Sequence, residues 1–293
     1  MKFAIPELSL RQTSSILFIA VDSLIPIRGK SIPGLDEFTA TLDHQGIPAV
    51  WLTSRSRLQV DEPRRKLGHR HPFIAEDGCV ACLPEDYFHL RPESNLAKSQ
   101  KASTVRLGRF TCIPVAESLP AATEALETLS ADTRVPVVPL RSLSLRELVQ
   151  NTGLPEREAE LARQRDFDEV FFLAGVSDQD VQPFLAEARN RELQLRQHGV
   201  FWSAAIGASA QQCIRDLSKL YDRALRQHAH IVGIATEDLS PGLFPFCERT
   251  ILLTNRHQDS DSDGLGPHPR ARRLELRAPD IWEQVLEAIA MKG

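Results

Sequence analysis

The run Ser15-Ile16-Leu17-Phe18-Ile19-Ala20-Val21 sets six apolar residues in a row and stops at Asp22-Ser23. Successive side chains of a strand point to opposite faces, so an unbroken apolar strand needs cover on both sides, as in a parallel sheet flanked by helices. A helix is predicted from about Pro33 to His44, because Leu35, Phe38 and Leu42 recur at spacings of three and four; Gly46 closes it. Ala49-Val50-Trp51-Leu52 reads as a second strand ending in Thr53-Ser54, and Arg57 to Leu67 as a helix interrupted or started near Pro63. This β-α-β-α rhythm predicts an α/β fold built on a Rossmann-type doubly wound parallel sheet, whose ligands sit at the carboxyl ends of the strands. Asp22 and the Thr53-Ser54 pair fall at that edge.

Farther along, from about Pro84, the pattern loosens into Pro-rich and polar stretches around a helix-like Ser118 to Leu129. Helical signals follow at Leu143 to Gln150, Pro155 to Arg165 and Asp178 to Asn190, with strands at Val170 to Leu173 and from Leu193 to Arg196, leading into Val200-Phe201-Trp202. The first rhythm then resumes, with an amphipathic Ala210 to Arg226, strands at Ile231 to Ile234 and Thr250 to Leu253, and a closing helix at Pro279 to Ala290. Residues 1–84 and 207–293 therefore read as a core domain, and residues 85–206 as an inserted α/β cap. A chain of 293 residues with 42% hydrophobic content can bury a core in each.

Charge narrows the function. With 39 acidic against 35 basic residues and a net charge of −4, the chain lacks the cationic excess that nucleic acid or an anionic membrane demands. No apolar run approaches the roughly 20 residues that span a bilayer. Met1 to Gln12 carries Lys2, Glu7 and Arg11 without the apolar stretch of a signal peptide, so a cytoplasmic address is expected. Five cysteines, an odd number, fit reduced thiols. Cys79 and Cys82 form a C-x-x-C pair open to zinc or redox readings. The alternation within Gly78-Cys79-Val80-Ala81-Cys82-Leu83 favours a strand, and no second pair completes a zinc site.

The order of segments resembles the haloacid dehalogenase superfamily, and within it the mannosyl-3-phosphoglycerate phosphatase group. The resemblance is carried by Leu17 to Ser23, by Gly46 to Arg55, by His71-Pro72-Phe73-Ile74-Ala75-Glu76-Asp77-Gly78 entering the cap, and by Thr152-Gly153-Leu154. Arg165-Asp166-Phe167-Asp168-Glu169, Gly199-Val200-Phe201-Trp202 and Gly233-Ile234-Ala235-Thr236 complete it. It implies a core domain with a cap and a Mg²⁺-dependent phosphatase chemistry in which a first Asp attacks phosphorus and a second acts as acid and base.

Set against that pattern, the chain departs at the reacting positions. Asp22 matches the second Asp, which leaves Ala20 at the nucleophile position. Sliding the register by two makes Asp22 the nucleophile but leaves Leu24 as acid/base. Thr53 or Ser54, followed by Arg55, matches the hydroxyl that hydrogen-bonds a phosphoryl oxygen, although such a pair also caps helices. Gln211 or Gln212 stands where the resemblance implies a Lys, and Thr236 and Ser240 where it implies two metal-holding acids. Glu237 and Asp238 are adjacent acids that a shifted loop would offer to Mg²⁺, together with Asp22. In the cap the resemblance places Arg165, Phe201 and Trp202 toward the substrate, with Val200 in place of an Arg and Ser203 as the polar residue after the aromatic pair. Phe201 and Trp202 also read as core.

Other motifs have plainer readings. Asp259-Ser260-Asp261-Ser262-Asp263-Gly264 imitates a calcium loop, but Arg270 stands at its twelfth position, so an acidic surface loop is expected, offset by Arg270, Arg272, Arg273 and Arg277. His69, His71 and Arg64-Arg65-Lys66 are expected near the site side of the sheet as a solvated helix face. The leading expectation is a catalytically degenerate phosphatase-like protein, needing no cofactor, that binds a protein partner or a sugar-phosphate-like small molecule. The competing expectation is an active Mg²⁺-dependent sugar-phosphate or phosphoglycerate phosphatase using Asp22, Glu237 and Asp238. A ligand sensor that keeps the cleft without the chemistry is a third.

Overall fold

The computed structural model describes residues 15–27, 31–88, 104–176, 178–239, 242–255 and 270–290. The calcium-like run 259–264, Ser240 and the segment Met1 to Gln12 lie outside the described residues.

β1 (Ser15–Ala20) is the central strand, buried along its whole length. Its alternate residues part to two cores: Leu17 and Ile19 pack on one face, and Ile16, Phe18 and Ala20 on the other. α1 (Leu35–His44) covers the first face, and β2 (Ala49–Leu52) pairs parallel with β1. α2 (Arg57–Lys66) starts at Ser56 in a capping box with Gln59 and runs unbroken through Pro63. Thr53 and Ser54 are thus not the cap. β3 (Phe73–Ala75) pairs parallel with β2, and β4 (Val80–Pro84) returns antiparallel. After the cap, α7 (Ala210–Leu225) buries Cys213, Ile214, Leu217, Leu220 and Tyr221 on the second face. β11 (His230–Thr236), β12 (Arg249–Thr254) and β13 (Arg272–Glu275) add parallel strands on the other side of β1, and α8 (Ile281–Ala290) closes the first face.

The sheet order is β13-β12-β11-β1-β2-β3-β4-β6-β5, where β5 is Val105–Leu107 and β6 is Phe110–Pro114. The strand order reverses at β1 and β11, which is where a doubly wound sheet opens a crevice. Two expectations are corrected here. Residues 105–114 lie inside the span read as cap, yet they extend the large sheet antiparallel, through the register pair Cys82 and Cys112. The Arg272-Arg273 pair begins an edge strand and is not only a counterweight to acidic residues.

The cap proper is a four-stranded antiparallel sheet in the order β7-β8-β10-β9, formed by β7 (Val137–Pro139), β8 (Glu169–Leu173), β9 (Leu193–His198) and β10 (Phe201–Ile206). α3 (Leu119–Thr133) and α6 (Asp178–Asn190) pack on one face around Leu126, Phe171 and Phe184. On the other face lie α4 (Leu145–Thr152), opened by a Ser144–Glu147 capping box, and α5 (Glu156–Arg163). α5 meets the core directly: Ser56 Oγ donates to the Leu161 carbonyl at 2.8 Å. The C-x-x-C cysteines are buried in and beside β4, and the nearest sulfur to Cys82 is that of Cys112 at 3.2 Å, not Cys79.

His69, His71 and Arg64 to Lys66 are not on the site side. They precede β3, at the amino ends of the strands, because α2 runs back across the sheet from the end of β2. Arg64 and His69 are also buried, and only Arg65 and Lys66 form the solvated face.

Candidate functional site

β1 and β11 bring Ala20, Asp22, Ser23 and Thr236 to the crevice. Ala20 is a buried methyl in the second core. Asp22 is held by the residues that follow β2 and stays 20% exposed. Its Oδ2 accepts from the Ser54 amide at 2.8 Å and the Ser54 hydroxyl at 2.7 Å; its Oδ1 accepts from the Thr53 hydroxyl and lies 3.5 Å from Arg55 Nε. Arg55 also donates to the Ile25 carbonyl and, at 3.4 Å, to that of Asp22. Burial weakens the Arg55 guanidinium as a cation, and the neighbouring Asp22 partly offsets this. The residues read as a phosphate cradle are therefore together, but their donors are aimed at a carboxylate of the same chain.

Across the switch point, the Thr236 hydroxyl lies 3.1 Å from Ser23 Oγ and 2.6 Å from Asp238 Oδ1. Asp238 is folded back on its own strand end, and Glu237 is exposed in the turn that follows. Gln212 is drawn along α7, where its Nε2 lies 2.9 Å from both oxygens of Asp216. It makes no contact with Asp22.

Cap residues reach the same edge. The Arg165 guanidinium forks onto Asp168, with Nη2 2.8 Å from Oδ2, and donates to the Ser54 carbonyl at 2.6 Å. Glu76, fully buried, accepts the backbone N–H groups of Asp166, Phe167 and Asp168 at 2.8–3.2 Å. Burial and then the charge of Asp168 push its carboxyl up to about 8, against the pull of Arg165 and the amides. Beside it, Asp77 Oδ2 accepts from His198 Nε2 at 2.6 Å and from Ser203 Oγ at 3.0 Å, while its carbonyl accepts from Arg196. Burial alone would raise Asp77, but the His198 hydrogen bond and the charges of His198, Arg196 and Arg165 hold it below the usual carboxylate range.

The two cap aromatics part company. Phe201 shares the Ser203 face of β10, packing edge-on to Phe172 at 6.5 Å. Trp202 points to the opposite face, against the α3 and α6 layer. The expectation that both face substrate is corrected for Trp202, because neighbours along a strand alternate sides.

Arg196 and His198 were not singled out from the sequence; Glu76, Asp77 and Asp168 entered only within the runs that carry the resemblance, and Ser203 only as the polar residue after Phe201 and Trp202. The one local signal is Gly78: with φ at +92°, a Cβ there would lie 2.3 Å from the Ala210 backbone nitrogen, so α7 sits directly on the turn. Glu76 and Asp77 share its left-handed conformation, at φ +52° and +55°. Side chains rarely adopt it, and such residues cluster where the surroundings over-determine them.

Mg²⁺ in this fold requires converging carboxylate oxygens in near-octahedral geometry. Here position 20 is a methyl, both Asp22 oxygens are engaged by protein donors, Asp238 is bonded to Thr236, and Glu237 lies in an exposed turn. Among the described residues no three His, Cys, Asp or Glu side chains converge. The donor set does not suit the ion.

The switch-point crevice, the strand order and the inserted antiparallel cap define a haloacid dehalogenase-like fold. Two solved structures share it: one from Thermoplasma acidophilum (TM-score 0.62, 14% identity, covering 95% of this chain and 99% of that one) and a haloalkanoate dehalogenase superfamily phosphatase from Bacteroides thetaiotaomicron (TM-score 0.59, 14% identity, 98% and 99%). In sequence, the chain is similar to the glucosyl-3-phosphoglycerate/mannosyl-3-phosphoglycerate phosphatase of Methanococcoides burtonii, 25% identical over 207 residues that make up 70% of each protein. No family model matches the chain. Among the described residues, no helix is long and apolar enough to cross a membrane.

Proposed function

We propose that this phosphatase-like chain is a binding protein that does not hydrolyse phosphomonoesters through a phosphoaspartate, and that its ligand is an anionic, sugar-phosphate-like small molecule. The observation that carries the reading is the Asp22 carboxylate, saturated by Thr53, Ser54 and Arg55 beside the methyl of Ala20. A methyl cannot attack phosphorus, and a carboxylate that receives two hydroxyls, an amide and a guanidinium is poorly placed to deliver a proton to a leaving group. Loss of a covalent nucleophile removes most of the rate that such an enzyme supplies.

The similarity to curated phosphatases supports a second reading, in which the site rearranges on substrate binding and hydrolyses it. A phosphatase assay with Mg²⁺ against a panel of sugar phosphates and phosphoglycerates separates the two. No phosphate release above the protein-free rate is expected; turnover that Asp22→Asn abolishes would establish the enzyme instead.

A further inference from the structure

β9 turns Arg196 and His198, two residues apart, onto the face of the cap sheet that meets the large sheet. Both are fastened to Asp77 on the left-handed turn. Neither is consumed by that attachment: the side chains remain 40% and 36% exposed. Asp77 takes the His198 Nε2–H, and among the described residues His198 Nδ1 has no hydrogen-bond partner. Arg196 uses one nitrogen on the Asp77 carbonyl and offers the rest of its donor fork to the cleft. The hairpin tip beyond them carries Val200, exposed. His198 and Arg196 stand two and four residues earlier, on the facing strand.

We infer that His198 and Arg196 form a subsite for an oxyanion, a phosphate or a carboxylate of the ligand, gripped by the imidazolium Nδ1–H and the outward N–H groups of Arg196. The inference rests on the cleft being a binding site, and it locates the ligand's charged group on the cap hairpin. Asp77 acts as the positioning residue: by accepting at Nε2 it fixes the ring so that Nδ1 faces the cleft. The charged groups around the imidazole are Asp77 on the turn, Arg196 on its own strand, Asp22 at the end of β1 and Arg165 before β8. The Asp77 hydrogen bond outweighs burial, and the charges of Asp77 and Asp22 outweigh that of Arg165, so the His198 pKa is raised. The imidazolium is present below that raised pKa and lost as pH rises through it, so anion affinity falls in the same direction.

Sulfate is the probe, because its charge is constant across the range in which inorganic phosphate itself titrates. Calorimetric titration of the full chain with sulfate is expected to show affinity about tenfold weaker at high pH than at low pH, the worth of one charge-assisted hydrogen bond. His198→Gln is expected to bind at the weak level throughout, and Arg196→Gln to bind more weakly while keeping the pH dependence. In the unaltered protein, saturating sulfate should raise the His198 pKa followed by proton NMR, since a ligand that prefers the imidazolium stabilises it. Competition by glycerate or by inorganic phosphate then tells a carboxylate ligand from a phosphate one. An unmoved His198 pKa, or His198→Gln binding sulfate as the parent does, overturns the subsite. Phosphomonoester turnover with the sulfate behaviour intact would sink the non-hydrolytic reading alone.

Discussion

Each end of the large sheet carries a buried polar network, and the two differ in what they join. At the amino end, Arg64 Nε donates to His69 Nδ1 at 3.0 Å, His69 Nε2–H to the Ala49 carbonyl at 2.6 Å, and Arg64 Nη2 to the His71 carbonyl at 2.7 Å. His71 then links Asp43 at 2.8 Å to Tyr87 at 2.5 Å, and Tyr87 meets Tyr221 at 2.8 Å. Burial and the adjacent Arg64 hold His69 neutral, and burial pushes Arg64 down to about 10. All of these residues but Tyr87, just past β4, lie in the two spans read as core. At the carboxyl end, Glu76, Asp77, Ser54 and Arg57 bond to Asp166, Phe167, Asp168, Arg165, Arg196, His198 and Ser203 of the cap segment. Buried charge with satisfied partners therefore marks no chemistry by itself. What sets the carboxyl end apart is its place at the switch point, its left-handed turn and two cations left half exposed.

The largest effect expected from this contrast is at Gly78. Gly78→Ala puts a Cβ against the Ala210 backbone at a φ that side chains avoid, so α7 or the turn must shift. The expected loss is above about 3 kcal/mol, in the range of severe core overpacking joined to backbone strain. Urea unfolding measures it, and a midpoint close to the parent's would show that the turn is not the rigid hinge of the seam. Next comes Asp22→Ala, which takes from the buried Arg55 guanidinium its carboxylate partner and leaves it only backbone carbonyls, those of Ile25 and residue 22. Removing one partner of a buried pair costs about 3–5 kcal/mol, and the partial exposure of Asp22 favours the lower figure. The double variant Asp22→Ala, Arg55→Met should regain part of that loss in the same measurement. If Asp22→Ala is neutral in stability, its carboxylate is not a latch, and a role in turnover gains ground.

Much of this was readable because apolar patterning is local. The strand beginning at Ser15, the helix carrying Leu35, Phe38 and Leu42, and the long amphipathic α7 all lie within a residue or two of where periodicity puts them. The strands that escaped are short or oddly composed. β13 is Arg-Arg-Leu-Glu, an edge strand with charges that reads as a basic cluster, and β6 ends at Pro114 and depends on Cys82 opposite Cys112 for its register. Asp22, Thr53, Ser54 and Arg55 converge because they end adjacent parallel strands, which topology alone dictates. The Asp77 to His198 bond spans 121 positions and depends on how the cap hairpin docks, so no spacing rule could announce it.

The smallest effect expected separates the two ends most finely. Tyr221→Phe removes one hydroxyl from the amino-end network, yet the Tyr87 O–H can still donate to His71 Nδ1, and His71 Nε2–H still reaches Asp43. No buried donor is stranded, so the loss should be near the net worth of one neutral hydrogen bond, about 1 kcal/mol. The thermal midpoint should fall by a few degrees at most. A loss as large as that of Asp22→Ala would mean that the amino-end network is coupled as tightly as the seam. The distinction between them would then rest on the exposed cations of β9 alone, which the sulfate titration tests without reference to stability.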